Sequence, residues 1–405
     1  MSGHGLCAKR LKNIDDYLKR IVDEGKVGGA AGMVNRNGNE AYQKSFGFRD
    51  RESKAQLKND AIYRIWSMTK TITVTAAMTL YEKGLFRLHQ NIADFLPAYK
   101  DMKVAEADTR GNVSIVPAKR PITFEHLFTM TSGIPYPGDT SYTGRKLIEI
   151  NSKEGEAARQ GKGWNLGKSI DEYAKAPLSF HPGEEWVYGL SHDVLGRLVE
   201  VISGKTLGEF FQENIFKPLG MKDTAFFVPK EKQARLVKPY RLGPDGLNEI
   251  GNAVTDFAST EPPVYESPGG GLNSTMKDMS LFAEMLLNKG KAPDKGKTKG
   301  ERILSRKTVE LMSSNHCDVD VLKPSFFGHM KGYGYGLGVR TMMNPAEAGL
   351  NGSIGEWAWD GMMGTYYLVD PAEKMTALFF IQLMSGINSD LQRGFAQTVY
   401  SAIDD

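Results

Sequence analysis

Cysteine is nearly absent: Cys7 and Cys317 are the two in 405 residues. That excludes a disulfide framework and suits free thiols in a reducing compartment. A chain this long buries a large core without disulfides or metal. At roughly 100–200 residues per domain it allows two or three domains. No stretch approaches the roughly 18 apolar residues of a membrane span. The opening residues, Met1 to Arg10, contain no apolar signal region, so a cytoplasmic protein is expected. Excess charge of one sign is lacking too. The balance of 51 basic and 48 acidic residues leaves +3, which argues against nucleic acid or a membrane surface as partner. Nothing in the sequence specifies an oligomeric state.

Several chemical signatures are missing as well. Gly-x-Ser-x-Gly does not occur, which removes the usual nucleophile elbow of α/β-hydrolases. HExxH, CxxC and clustered His/Cys patterns do not occur, so no metal and no cofactor is expected. Gly163 to Ser169 imitates a phosphate-binding loop, but only three residues separate its glycines, where four are needed. The seven histidines are scattered. His126 and His192 are the best placed, and both read more simply as structural groups.

What is present has a clear order. Residues 9–24 have helical apolar spacing, closed by Gly25, and 27–34 and 41–48 read as paired strands. Residues 67–83 form a helix apolar nearly all round, hence buried. A further short helix follows Thr123, others cover 192–203 and 206–216, and one capped by Ser274 or Thr275 runs to Leu287. The stretch 137–170 is polar and Gly-rich, and reads as a long excursion outside the core. Residues 289–300 read as a solvated Lys/Gly loop. Short strands are expected at 333–342, 355–359, 364–370 and 375–383, with a hairpin turn at 370–373 and a last helix over 388–403. Strands at both ends and helices between them suggest an α/β domain formed by both ends of the chain, with a helical domain inserted.

Ser67-Met-Thr-Lys70 carries the chemistry. Residues i and i+3 share a helix face, so hydroxyl and amine can meet. Serine needs a base to become a nucleophile, and burial turns lysine into one by lowering its pKa. The helix N-terminus supplies N–H groups for a developing oxyanion. A second match, Ser274 to Lys277, reads as a cap and a solvated lysine. Ser67 differs because it follows Ile62–Trp66 and opens the most apolar helix. Tyr188 sits in a turn before a helix that Ser191 or Asp193 can cap, where a phenol can relay a proton. Trp357 to Tyr367 reads as a strand edge with glycines, which permits close backbone approach by a ligand.

Together, in this order and spacing, these three segments resemble the serine β-lactamase/penicillin-binding superfamily, and within it the class C β-lactamase-like family VIII carboxylesterases. Secondary cues agree: Ile122 to Gly133, Pro218 to Met221, and Gly269 to Thr275. The resemblance implies an α/β (α+β), two-domain β-lactamase-like fold. An antiparallel sheet flanked by helices would take 1–85 and 265–405, and a mainly helical domain 86–264. It implies Ser67 as acylated nucleophile, with Lys70 and Tyr188 sharing general-base and general-acid work. The family's Lys-Thr-Gly is matched by Trp359-Asp360-Gly361, and the Met362 N–H would join that of Ser67 in an oxyanion hole. Two departures matter. Tyr-x-Asn becomes Tyr188-Gly-Leu190, losing the orienting amide. The lysine of the third motif becomes Trp359, losing the cation expected at a β-lactam carboxylate. Both point to an uncharged small-molecule ester, with Tyr136, Tyr142, Trp186 and Trp359 as candidate pocket walls. The alternatives are an acyltransferase using the same acyl-enzyme, a β-lactamase or D-amino acid peptidase, and a non-catalytic binding module.

Overall fold

The computed structural model describes residues 4–251, 259–293, 300–322 and 330–405. Its frame is an antiparallel sheet of eight strands. Three come early: β1 (Gly29–Arg36), β2 (Asn39–Asp50) and β3 (Ala55–Gln56). Five come late: β4 (Tyr333–Tyr335), β5 (Arg340–Met342), β6 (Trp357–Asp360), β7 (Tyr366–Asp370) and β8 (Met375–Phe380). The order across the sheet is β4-β5-β6-β7-β8-β1-β2-β3. The two groups join where β1 pairs with β8, Ala31 opposite Phe380 and Arg36 opposite Met375.

Both faces of the sheet are covered, so β1 and β8 are buried along their whole length. Side chains alternate between two cores, as the two-residue period of a strand requires. Ala30, Val34, Ala377 and Phe379 pack with Leu18 and Ile21 of helix α1 (Ala8–Asp23), and with Phe395 and Val399 of the helix Asn388–Tyr400. Gly32 lets these helices close in, since a Cβ there would lie 2.8 Å from the Phe395 ring. Ala31, Met33, Leu378, Phe380, Trp357 and Trp359 face the other core. There they meet helix α2 (Thr69–Glu82), in which every residue from Thr69 to Leu80 is buried. Two of its threonines bond to neighbouring segments: Tyr367 Oη donates to Thr71 Oγ1 at 2.8 Å, and Thr73 Oγ1 donates to the Pro268 carbonyl at 2.8 Å.

The second core continues into the helical region, and here two expectations fail. The stretch 137–170 is no loop. It contains α3 (Tyr142–Arg159), capped by Ser141, and the start of α4 (Leu166–Tyr173), capped by Asn165. Leu147, Ile150, Leu166 and Ile170 are few but correctly spaced, and all four enter the main core. The surrounding polar residues form the solvated face. Asn165 also disposes of the imitation phosphate loop, because its side chain accepts from the Lys168 N–H as an ordinary helix cap. In α5 (Ser191–Ser203) the capping position belongs to Leu190, without a side-chain cap. Ser191 Oγ instead bonds Ser132 Oγ, and Asp193 is buried in the first turn. Thr275 caps α6 (Met276–Leu287), and α7 (Asn388–Tyr400) is the closing helix. The strand expected over 333–342 is two, β4 and β5, separated by a turn in which Gly338 has φ +73°. Of the Lys/Gly-rich stretch 289–300, residues 294–299 lie outside the described residues.

Candidate active site

Ser67 lies just beyond a short strand, Ile62–Arg64, which pairs antiparallel with Asn273–Thr275. The Ile65 N–H still bonds the Leu272 carbonyl. Trp66 then takes a left-handed φ of +47°, a conformation costing a bulky residue about 1–3 kcal/mol. One 3₁₀ turn, Trp66–Met68, carries Ser67, and α2 begins at Thr69. The helix thus starts two residues later than its sequence suggests. Ser67 stays partly exposed at the mouth of a buried helix.

Lys70 has no exposed surface. Its Nζ lies 3.3 Å from Ser67 Oγ, 2.8 Å from Tyr136 Oη and 2.6 Å from the Gly269 carbonyl oxygen. It also sits 4.8 Å above the Tyr188 ring. Burial pulls its pKa down to about 8, against the opposing pull of Asp193 and Asp360. Burial pushes the Tyr188 phenol up beyond its usual range, and hydrogen bonding with Ser67 and Trp359 offsets part of that rise. Ser67 and Lys70, three residues apart, therefore meet the distant Tyr188 around one hydroxyl.

The aromatic residues divide. Tyr136, named above as a pocket wall, is a direct partner of Lys70 and lies edge-on to Tyr188, ring centres 5.6 Å apart. Trp186 and Trp359 do not line an open pocket: they are 0% and 2% exposed. Both pack against Tyr188, and the Trp359 Nε1–H donates to Tyr188 Oη at 3.3 Å. They fix the phenol, because β6 turns the Trp359 side chain into the core shared with α2. Tyr142 opens onto a separate cavity of about 500 Å³, lined also by Met102, Ile115 and Ile150.

The turn after β6 brings Gly361 against Ile65. A Cβ on Gly361 would collide with the Ile65 carbonyl oxygen and with Thr365 Oγ1, so this approach requires glycine. The Gly361 N–H is taken by Thr365 at 2.7 Å. Met362 is 49% exposed, and its carbonyl is held by the Asn388 side-chain amide at 2.9 Å. Next to Trp359, Asp360 pairs with Arg340, which is 6% exposed. His126 closes a capping box with Thr123, and His192 is buried with Nε2 3.3 Å from the Phe128 carbonyl. Burial, and then Lys70, push the His192 pKa down to about 3. Among the described residues no cluster of three or more His, Cys, Asp or Glu is placed to hold a metal.

Sequence reasoning missed Gly269, Asn388 and Asp193 as parts of this site. The Gly269-Gly-Gly run and the acid inside an otherwise apolar helix face were the available signals.

A buried lysine on an exposed-edge serine, beside an antiparallel sheet covered by helices, defines a serine acyl-transfer fold of the β-lactamase kind. The chain belongs to the Beta-lactamase family, which matches residues 14–399. Its class is that of serine hydrolases and acyltransferases of this family. It is similar to Protein Rv1367c of Mycobacterium tuberculosis (strain ATCC 25618 / H37Rv), 30% identical over 92% of this chain and 90% of the relative. It is also similar to Esterase EstB of Burkholderia gladioli, 27% identical over 97% of this chain and 96% of EstB. The solved structure of EstCE1, described as a hydrolase with promiscuous acyltransferase activity, shares the fold. Its TM-score is 0.78 at 21% identity, over 96% of this chain and 98% of that one.

Proposed function

We propose that this chain hydrolyses short-chain carboxylic esters through an acyl-enzyme on Ser67. The observation that carries the reading is the set of three oxygens around Lys70 Nζ. A neutral amine has two hydrogens and one lone pair. The Gly269 carbonyl can only accept, and Tyr136 Oη takes the second hydrogen. The lone pair is then left for the Ser67 hydroxyl. An amine with a pKa near 8 is an effective base close to neutral pH.

In the first step Ser67 Oγ bonds to the ester carbonyl carbon, and its proton passes to Lys70. The Ser67 and Met362 N–H groups receive the oxyanion. Tyr188, kept neutral by burial, gives its proton to the departing alkoxide and is resupplied by the Lys70 ammonium. Water repeats the sequence in reverse, releasing the acid and restoring Ser67. An alcohol in place of water makes the same site an acyltransferase.

A neutral ester is favoured over a β-lactam or peptide carboxylate by the position of Trp359. Where the superfamily pattern has a lysine, this chain has an indole spent on Tyr188. The neighbouring cation, Arg340, is already neutralised by Asp360. The test is p-nitrophenol release from p-nitrophenyl acetate and butyrate by wild type and Ser67→Ala, with mass spectrometry of the acylated peptide. Turnover abolished by the substitution, with the acyl group found on Ser67, supports the reading. Undiminished turnover in the variant, or nitrocefin cleaved faster than the esters, overturns it. Added short alcohols that divert the acyl group from water measure the transferase component.

A further inference from the structure

We propose that Asp193 is a positioning residue for Lys70: its buried charge sets the lysine's proton affinity, and its contact with Gly269 fixes the carbonyl that orients the amine. The proposal rests on Lys70 acting as the base for Ser67.

Asp193 is 3% exposed and lies in the first turn of α5, shortly after Tyr188. A carboxylate so placed needs strong partners. Its Oδ1 accepts from Tyr265 Oη at 2.8 Å and more weakly from Ser267 Oγ at 3.5 Å. Its Oδ2 has no well-formed hydrogen bond among the described residues. That oxygen lies against Gly269, where an added Cβ would be 2.6 Å away. The same Gly269 presents its carbonyl to Lys70 Nζ at 2.6 Å. One residue, Gly269, therefore touches the buried anion on one side and the buried cation on the other.

The segment has no freedom to swing. The neighbouring Pro268 carbonyl accepts from Thr73 of α2, and the Pro268 ring fills the space left by Gly196 of α5. The 267–271 turn is wedged between the helix that carries Lys70 and the helix that carries Asp193.

The electrostatics agree. Burial raises the Asp193 pKa, and Lys70 is the strongest influence drawing it back, followed by Tyr265 and the Gly269 N–H. In return Asp193 is the strongest influence raising Lys70 against its own burial. The other titratable groups coupled to this pair are Tyr99, Tyr136, Tyr173 of α4, Tyr188 and Tyr265, whose phenols are raised by burial. Asp360 of β6 acts on Lys70, His192 is neutral near pH 7, and Glu154 of α3 acts on Tyr173 and Tyr265.

Asp193→Asn is nearly isosteric and keeps an oxygen for Tyr265 while removing the charge. Without that charge the Lys70 pKa falls further, so its neutral form survives to lower pH. The acidic limb of Ser67 reactivity should move down by about one pH unit. Reactivity is read with a fluorophosphonate probe, which forms a bond from Ser67 Oγ to phosphorus and expels fluoride. The modified peptide is followed by mass spectrometry across pH, so no assumption about the ester is needed. A folded Asp193→Asn whose limb coincides with wild type overturns the proposal. If that variant fails to fold, Tyr265→Phe serves instead. It removes the donor that favours the Asp193 charge, so a smaller shift in the same direction is expected and an unchanged limb overturns the proposal. Wild type that the probe does not label on Ser67 overturns the underlying reading, and this one with it.

Discussion

Lys70 is a cation-forming side chain without contact with solvent, surrounded by two hydroxyls and a carbonyl. Lys70→Ala should lower ester turnover on the order of a thousandfold, the range for removing a positioned base. Tyr136→Phe tests the more particular claim. It deletes one of the two hydrogen acceptors that aim the lone pair, and should reduce kcat about tenfold while the far-ultraviolet circular dichroism stays unchanged. An unaffected kcat would show that Gly269 alone orients the amine. Ser67 and Lys70 were legible because their pairing is local, three residues apart. The Gly269 contact was not, because it joins positions 199 residues apart and no local spacing encodes it. Tyr136 was noticed for its ring, whereas its hydroxyl is the part that meets the lysine.

Single elements make the same point about scale. The turn following β6 reaches Ile65 only because residue 361 has no side chain. Gly361→Ala should therefore push the turn away from Ser67 and reduce kcat/KM at least tenfold, with little loss of folded protein by circular dichroism. A fully active variant would remove the Met362 N–H from the oxyanion hole. Strands β1, β2, β7 and β8 and helices α1, α2, α5, α6 and α7 could be read from sequence because their apolar residues come in runs or recur at strand or helix spacing. Helix α3 could not, since Leu147 and Ile150 must be picked out among charged neighbours. Its place in the core is testable. Leu147→Ala should cost about 2–4 kcal/mol of stability, measured by urea unfolding.

The whole molecule has a pH dependence separate from its chemistry. Glu356, just before β6, is 2% exposed and accepts from Tyr400 Oη of α7 at 2.9 Å. The same hydroxyl lies 2.8 Å from Asp370 at the end of β7. Tyr333 of β4 is 3.4 Å away, and Arg340 of β5 acts from the sheet side. Burial pushes the Glu356 pKa up to about 7. The folded protein therefore keeps a proton that the unfolded chain releases near pH 4.5. This contribution is complete below that pH and is lost as pH rises through about 7, a change on the order of 3 kcal/mol. Urea midpoints of wild type should fall between pH 5 and pH 8 by more than those of Glu356→Gln. Parallel curves for the two proteins would contradict the assignment.

The pairing of β1 with β8 also governs how the chain can be made. On the ribosome, β1 emerges early and finds β2, but its other edge waits until nearly the whole polypeptide has been translated. Helix α2, buried on every side when finished, emerges early too and lacks the sheet face that covers it. The nascent chain must carry an open strand edge and an uncovered apolar helix through most of its synthesis. Such species are prone to aggregate. Recovery from denaturant should therefore be slow, fall as protein concentration rises, and improve when a holding chaperone shields the early segment until β8 arrives.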